Sequence, residues 1–225
     1  MSDAATYAAT RERVEDYFDR TATKTWERLT SDAPVSRIRQ TVREGRDTMR
    51  ALMLSRLPAD LTGVRVLDAG CGPGAMTAVL AARGAEVTAV DISPQLIGIA
   101  EARLDAALRG RVRFHAGDML DPSLGRFDHV VAMDSLIYYD AADIDAALSR
   151  LAERTAGSIV FTVAPRTPLL MAMFTVGKLF PRSDRSPVMQ PHAPRDLARG
   201  LPGTLTKVER VSRGFYISEC LEYAP

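Results

Sequence analysis

The chain has 225 residues, 46% of them hydrophobic, and a formal net charge of +1. This length predicts one large α/β domain with a full core, and the balanced charge excludes bulk electrostatic capture of nucleic acid. The two cysteines form neither a metal-type pair nor a disulfide framework. Neither a signal peptide nor an apolar run of roughly 18 residues is present. We therefore expect a cytoplasmic protein, with peripheral membrane contact as an open alternative.

The predicted elements divide the chain at Pro58. Residues 1–57 are expected to form a helical extension, interrupted near Ser31–Pro34, and residues 58–225 the main domain. Predicted strands are Val64–Asp68, Glu86–Asp91, Val112–Ala116, His129–Met133, Ser158–Val163, Leu205–Arg210 and Phe215–Glu222. Predicted helices are Ala75–Ala82, Pro94–Leu108 and Ala141–Arg154. Regular alternation predicts a Rossmann-like, doubly wound, mostly parallel sheet of seven strands, and the short Val211–Gly214 connection predicts that one of the last two strands is antiparallel.

The segment from residue 164 to 195 interrupts this alternation. It carries the apolar run Leu169–Phe174, followed by a polar stretch that contains proline. Thirty residues are long for a plain crossover. Three interpretations remain open: a helix that covers the sheet, a lid over a substrate, and a contact with a membrane surface.

A glycine-rich loop follows the first predicted strand. Gly70, Gly72 and Gly74 alternate with other residues before a helix, and such a loop lets the backbone approach a ligand closely. Gly70-x-Gly72-x-x-Ala75 also matches the dinucleotide fingerprint. Asp91, at the end of the second strand, is suited to ribose hydroxyls in either a dinucleotide or a nucleoside. The loop therefore predicts a nucleotide-like cofactor without choosing between the two.

Features at three strand ends favour a nucleoside cofactor that carries an ammonium group over a dinucleotide. Asp68 stands directly before the loop, where a carboxylate repels a pyrophosphate and attracts an ammonium group. Asp118 and Met119 follow the third strand, as a carboxylate for an exocyclic amine and an apolar side chain for a flat ring. Polar residues also follow the fourth strand, at the carboxyl edge where such sheets bind ligands.

These motifs together resemble the class I S-adenosylmethionine-dependent methyltransferases, over residues 60–165. The resemblance implies that Asp68 and the Gly70–Gly74 backbone, with Cys71, hold the methionine part. Asp91 would bind the ribose and Ile92 would lie beside the adenine. Asp118 would meet the adenine amine, and Met119 its face. Further cofactor contacts are expected from Met133, Asp134 and Ser135.

Nearly the whole chain resembles the magnesium-protoporphyrin O-methyltransferases of bacteriochlorophyll synthesis. The runs that carry this resemblance are Val14–Asp19, Trp26–Leu29, Ala132–Tyr139 and Gly214–Glu219. It implies methyl transfer to a propionate of Mg-protoporphyrin IX, giving the monomethyl ester and S-adenosylhomocysteine. No protein-bound metal is expected, because His115, His129 and His192 show no metal-ligand spacing. The resemblance also implies contact with the porphyrin-binding subunit of magnesium chelatase. In one departure, Tyr138 stands where a histidine is expected in the plant and cyanobacterial relatives.

The acceptor side is predicted from residue chemistry. Tyr17 and Tyr138 are the candidates for orienting the acceptor carboxylate through their hydroxyls. A flat apolar macrocycle with carboxylates at its edge calls for apolar surface and cations. The predicted substrate-binding residues are Tyr139, Arg166, Met173, Phe174 and His192. Three alternatives remain: an O-methyltransferase for a quinone precursor or phenol, an NAD-dependent dehydrogenase, and a binding module without catalysis.

Overall fold

The computed structural model describes residues 3–19, 37–168, 171 and 189–225. The helices are α1 (Asp3–Tyr17), α2 (Arg37–Leu54), α3 (Ala75–Ala82), α4 (Pro94–Arg103) and α5 (Ala141–Ala152). The strands are β1 (Arg65–Ala69), β2 (Glu86–Asp91), β3 (Val112–Ala116), β4 (Phe127–Ala132), β5 (Thr155–Pro165), β6 (Pro191–His192), β7 (Thr204–Arg213) and β8 (Tyr216–Ala224). In the described ranges no helix is long and apolar enough to cross a membrane.

The strands form one sheet in the order β3-β2-β1-β4-β5-β8-β7, and β6 pairs with β5. Neighbours from β3 to β5 are parallel, whereas β8 runs antiparallel to both β5 and β7. The prediction of a mostly parallel, doubly wound sheet in which one of the last two strands is antiparallel is confirmed, and that strand is β8. The predicted number of strands, seven, is one too low for the described residues, because β6 adds an eighth. Chain order reverses between β1 and β4, and such a switch point opens a crevice at the carboxyl edge of the sheet.

Both faces of the sheet are covered by apolar residues. On one face, Met49 and Met53 of α2 and Leu80 of α3 pack against buried sheet residues. On the other face, Ile144 and Leu148 of α5 belong to a second buried cluster. Burial on both faces explains why the central strands are nearly continuous apolar runs rather than alternating ones.

The structure differs from the prediction at the end of one helix and in one additional strand. The helix predicted to reach Leu108 ends at Arg103, because Leu104 is extended and the Asp105 carboxylate accepts a hydrogen bond from the Ala107 amide. Such a local side-chain bond competes with continuation of the helix, and a 3-10 helix, Ala106–Arg111, follows instead. The sequence also gave no signal for β6, whose two residues pair with the end of β5.

The two N-terminal helices, α1 and α2, each pack onto the main domain. Helix α2 lies against β7 and β8, where Gly45 allows close approach: a Cβ atom there would be 2.6 Å from the Tyr216 ring. Helix α1 contacts α5. Both helices reach the carboxyl edge of the sheet, where α1 bonds to Asp118 after β3 and α2 bonds to Asp134 after β4.

Candidate active site

A cavity opens at the carboxyl edge and encloses about 970 Å³ including its open mouth. It brings together most of the predicted site residues, which are Asp68, Gly70, Cys71, Gly72, Asp91, Ile92, Asp118, Met119, Met133, Asp134, Ser135, Tyr138 and Tyr139. These residues follow four different strands and are distant in sequence. The strand-end residues therefore line one cavity, as their shared sheet edge predicts.

The glycine loop has left-handed backbone at each glycine. Gly70, Gly72 and Gly74 have φ values of 80°, 53° and 82°, which side chains rarely adopt. A Cβ atom on Gly70 would lie 2.3 Å from Ser135 Cβ. Gly74 does not line the cavity; it precedes α3 and packs on Ala100 of α4. The first two glycines shape the cavity, whereas the third lets α3 and α4 approach.

Asp91, at the end of β2, forms a hydrogen bond to the backbone of the glycine loop. Its Oδ2 accepts a hydrogen bond from the Gly72 amide at 2.8 Å, and its Oδ1 accepts one from the Ser93 amide at 3.0 Å. Burial raises the pKa of this carboxyl to about 6, although the two amide donors oppose the shift. Each carboxylate oxygen keeps a lone pair for a ligand hydroxyl.

Asp68 is more deeply buried, at the end of β1. Its Oδ2 accepts a hydrogen bond of 2.5 Å from the Thr77 hydroxyl. Burial raises its pKa to about 7, the nearby Asp91 charge adds to the rise, and Arg50 of α2 opposes it. A carboxyl in this state gains from a cationic ligand, because a neighbouring positive charge stabilises its ionised form.

Asp118 connects β3 with α1. Its Oδ1 accepts hydrogen bonds from the Tyr7 hydroxyl and the Leu120 amide, both at 2.9 Å. Its Oδ2 pairs with Arg11 at 3.0 Å. Helix α1 is thereby fixed over the end of the cavity predicted to hold an adenine.

Asp134 stands at the end of β4 in left-handed backbone, with φ at 57°. Its amide donates to the Thr162 hydroxyl at 2.8 Å, and the Tyr216 hydroxyl donates to its Oδ1 at 3.1 Å. Its Oδ2 pairs with Arg46 of α2. Non-glycine residues in this backbone region are strained. Here the two hydrogen bonds and the ion pair keep Asp134 in this conformation at the cavity wall.

Comparisons with known proteins agree with this geometry. Residues 132–225 match the family model described as magnesium-protoporphyrin IX methyltransferase C-terminus, and residues 66–156 match a methyltransferase domain. Magnesium-protoporphyrin O-methyltransferase of Rhodobacter capsulatus is 67% identical to this chain over 97% of its length and 98% of the relative's. The chain belongs to the magnesium-protoporphyrin O-methyltransferase family. It is a methyltransferase with the Rossmann-like fold predicted from the sequence.

Two further similarities bear on the alternatives. The crystal structure of magnesium protoporphyrin IX methyltransferase from Synechocystis with bound S-adenosylhomocysteine is 29% identical, with a TM-score of 0.79, over 94% of this chain and 97% of that one. A ubiquinone biosynthesis O-methyltransferase of Xanthomonas oryzae is 34% identical over only 55% of this chain and 54% of its own. The magnesium-protoporphyrin family thus accounts for the flanks as well as the core.

Of the two predicted orienting tyrosines, only Tyr138 lines the cavity of this family member. Tyr17 packs edge-on against Phe18, and Phe18 in turn contacts the Tyr138 ring. Burial raises the pKa of Tyr138, as does the Asp134 carboxylate, while the Arg46 guanidinium opposes the shift. Tyr138 therefore stays protonated and able to donate a hydrogen bond.

The predicted substrate-binding residues are dispersed. Tyr139 lines the cavity and stacks on Tyr7 with ring centroids 4.9 Å apart. His192 does not line it: its ring is buried, with Nε2 2.9 Å from the Tyr139 carbonyl oxygen, and burial lowers its pKa. Arg166 is exposed and lies 3.7 Å from Asp196. Met173 and Phe174 lie outside the described residues.

Sequence reasoning missed the contribution of the two N-terminal helices. Tyr7 and Arg11 of α1, and Arg46 and Arg50 of α2, all line the cavity. Each pair is spaced i, i+4, so both members face the same side of their helix. Arginines on the same side of α2 as the buried Met49 and Met53 were the available signal, because a charge among apolar positions usually has a partner.

Proposed function

We propose that this chain transfers the methyl group of S-adenosylmethionine to a propionate carboxylate of Mg-protoporphyrin IX. The product would be the monomethyl ester, an intermediate of (bacterio)chlorophyll biosynthesis. The observation that carries this proposal is the 67% identity to the Rhodobacter capsulatus enzyme over nearly the full length of both chains. The arrangement of the cavity is consistent with it.

The cavity fits S-adenosylmethionine, which supplies an electrophilic methyl group when bound. Asp91 offers two carboxylate oxygens to the ribose hydroxyls, and Ile92 and Met119 offer apolar surface to the adenine. Asp118 would accept a hydrogen bond from the adenine amine. Asp68 and the Gly70–Gly72 backbone would hold the methionine ammonium. Among the described residues, the buried Ser135 hydroxyl in the cavity wall has no protein hydrogen-bond partner, as expected of a ligand contact.

Arg50 completes the methionine subsite. Its guanidinium pairs with Asp47 at 2.8 Å, its side chain is 17% exposed, and it acts electrostatically on Asp68. The methionine part carries a carboxylate beside its ammonium group, and an arginine next to Asp68 matches that pair of charges.

The acceptor needs positioning rather than a general base. A propionate has a pKa near that of Glu, about 4.3, and is already ionised at pH 7. Tyr138, with Tyr17 behind it, would orient a carboxylate oxygen toward the methyl carbon. Positioning of this kind supplies about 7–11 kcal/mol of a displacement barrier. The interpretation of residues 164–195 as a lid over the substrate stays a prediction, because most of the segment, including Met173 and Phe174, lies outside the described residues.

Incubation of the chain with labelled S-adenosylmethionine and Mg-protoporphyrin IX tests the reaction. Labelled monomethyl ester is expected, and methylation of a phenolic quinone precursor in its place would refute the proposal. Asp91→Ala should weaken S-adenosylhomocysteine binding about 10- to 100-fold, because hydrogen bonds to a charged group are lost. Asp60→Ala, in an exposed turn outside the cavity, is the matched control.

Two associations extend this proposal. Contact with the porphyrin-binding subunit of magnesium chelatase would hand over the acceptor directly, and co-elution of the two purified proteins tests it. Peripheral membrane contact would keep the chain near an apolar substrate, and co-sedimentation with lipid vesicles tests that. Separate elution, or a supernatant that retains all the protein, would contradict the respective association.

A further inference from the structure

Two large apolar side chains among the described residues are exposed, and both lie at the carboxyl edge of the sheet. Phe215 is 69% exposed and Met189 is 52% exposed. Phe215 occupies the turn between β7 and β8, and this turn lies where β5 ends, because β8 runs antiparallel to β5. Met189 precedes Gln190, whose amide donates to the Ile137 carbonyl in the 3-10 helix Leu136–Tyr138 after β4.

Both side chains adjoin the end of the cavity where Tyr138 is proposed to meet the acceptor. The residue after Phe215 is Tyr216, whose hydroxyl donates to Asp134 at 3.1 Å. The side-chain amide of the residue after Met189 lies 3.5 Å from the Tyr138 carbonyl oxygen. Asp134 and Tyr138 both line the cavity. Each exposed apolar side chain is therefore one residue away from a contact with the cavity wall.

The cavity leaves the acceptor's macrocycle at its mouth. A volume of about 970 Å³, open mouth included, is typical of a site for one drug-sized ligand, and the cofactor is that ligand. The carboxylate that receives the methyl group stands at the end of a flexible two-carbon side chain. It reaches into the cavity while the flat ring stays outside, where the ring needs apolar surface to leave water.

We propose that Met189, Arg166 and Phe215, which we call the acceptor rim, bind the macrocycle outside the cavity. This rests on the proposed function, because it names the surface that carries the acceptor of that same reaction. The macrocycle would cover the Phe215 ring and the Met189 thioether, and both groups pack well on a flat aromatic surface. An exposed aromatic side chain beside a cavity mouth is thereby removed from water when the acceptor binds.

Arg166 adds a positive charge to the acceptor rim. It directly follows β5, the strand that pairs with both β6 and β8, and its amide donates to the His192 carbonyl at 2.8 Å. Its side chain is 56% exposed and lies 3.7 Å from Asp196, which also pairs with Arg199 at 2.6 Å. Exposed pairs of this kind are weak, so another carboxylate can compete for Arg166. The second propionate, which is not methylated, stays ionised at the same edge of the macrocycle and matches this cation.

Absorbance titration of the S-adenosylhomocysteine-bound chain with Mg-protoporphyrin IX tests the apolar contacts. Phe215→Ser should weaken porphyrin affinity about tenfold, the effect of burying one large apolar side chain. Met189→Ser should weaken it less, about fivefold, because Met189 is already half-buried. Phe215→Tyr keeps the ring and should keep most of the affinity. All three variants should bind S-adenosylhomocysteine like the native chain, since neither residue lines the cavity.

Two esters of the porphyrin test Arg166. The monomethyl ester retains the second carboxylate and the dimethyl ester lacks it, so their affinity ratio reports that contact alone. We expect the native chain to prefer the monomethyl ester about threefold, the effect of one exposed ion pair. Arg166→Gln should bring the ratio close to one. Arg109→Gln, exposed on the 3-10 helix before β3, should keep the native ratio.

Three results would overturn these assignments. Native porphyrin affinity in both serine variants would exclude the apolar contacts, and an unchanged ester ratio in Arg166→Gln would exclude the cation. A Phe215→Ser variant that no longer co-sediments with lipid vesicles but binds porphyrin normally would assign this turn to a membrane surface instead. Porphyrin binding is measured without methyl transfer, so failure of the native chain to form ester would overturn the proposed function separately.

Discussion

The Tyr7 hydroxyl donates a 2.9 Å hydrogen bond to Asp118 and ties the N-terminal helix to the loop after β3. The two residues are 111 positions apart in the chain. Arg11, Val14 and Phe18 of the same segment also line the cavity, so the helix forms part of its wall. The position of α1 and the shape of the cavity are therefore linked.

Loss of the Tyr7 hydroxyl should loosen this wall. Tyr7→Phe removes one hydrogen bond to a carboxylate outside the direct ligand contacts, so S-adenosylhomocysteine affinity should fall about fivefold, which corresponds to about 1 kcal/mol. Isothermal titration measures the affinity, and the rate of proteolytic cleavage within residues 3–19 should rise. Arg13→Gln, on the exposed side of the same helix, is the control. Equal affinities for Tyr7→Phe and the native chain would contradict the link.

Asp68 should make both stability and cofactor binding depend on pH. Its pKa is about 7 in the folded protein and 3.8 ordinarily, so the folded state holds its proton more tightly than the unfolded chain. The stability of the ligand-free protein should therefore decrease as pH rises from about 4 to about 7, and level off above. Asp68→Asn should flatten this decrease in melting temperature between pH 5 and pH 8.

Without a ligand, the folded protein favours the protonated form of Asp68, and a bound cationic cofactor should reverse this. A cationic cofactor favours the ionised carboxyl, so binding should release a proton and strengthen as pH rises toward 7. Calorimetry in buffers of different ionisation enthalpy counts that proton. Asp60→Asn should behave as the native chain between pH 5 and pH 8, since Thr62 lowers the pKa of Asp60. A pH-independent affinity in the native chain would argue against an Asp68–ammonium contact.

The hydroxyl of Tyr138 should affect turnover rather than cofactor binding. Tyr138→Phe keeps the buried ring but removes the donor, so kcat should fall about tenfold or more, as expected for one lost orienting hydrogen bond. Affinity for S-adenosylhomocysteine should not change. Tyr17→Phe tests the second predicted orienting residue in the same assay. Native turnover in both variants would exclude these hydroxyls from positioning the acceptor.

Two helical glycines should respond in opposite directions to alanine. Gly45→Ala places a methyl group 2.6 Å from the Tyr216 ring and should destabilise the fold by about 1–3 kcal/mol. Gly98→Ala meets no atom within 4 Å in α4 and should stabilise it by up to about 1 kcal/mol. Urea denaturation gives both values. A neutral Gly45→Ala would show that α2 can shift away from β8.

The strand-end carboxylates could be predicted because each is encoded locally. Asp68, Asp91 and Asp118 directly follow or end apolar runs, and the carboxyl ends of parallel strands share one edge. Helix ends were less predictable. The break after Arg103 depends on one side-chain bond from Asp105, which competes with a helical pattern that continues beyond it.

The sequence by itself determined the parallel sheet, its glycine loop and the carboxylates at the carboxyl edge of the sheet, because short-range order along the chain specifies them. Only the tertiary structure decided which helical residues complete the cavity. Arg46 and Tyr216 meet Asp134 across 88 and 82 residues. Contacts over such separations depend on how α2 and β8 pack against the sheet. The spacing along α2 indicates that its buried arginines have partners, but it does not identify those partners.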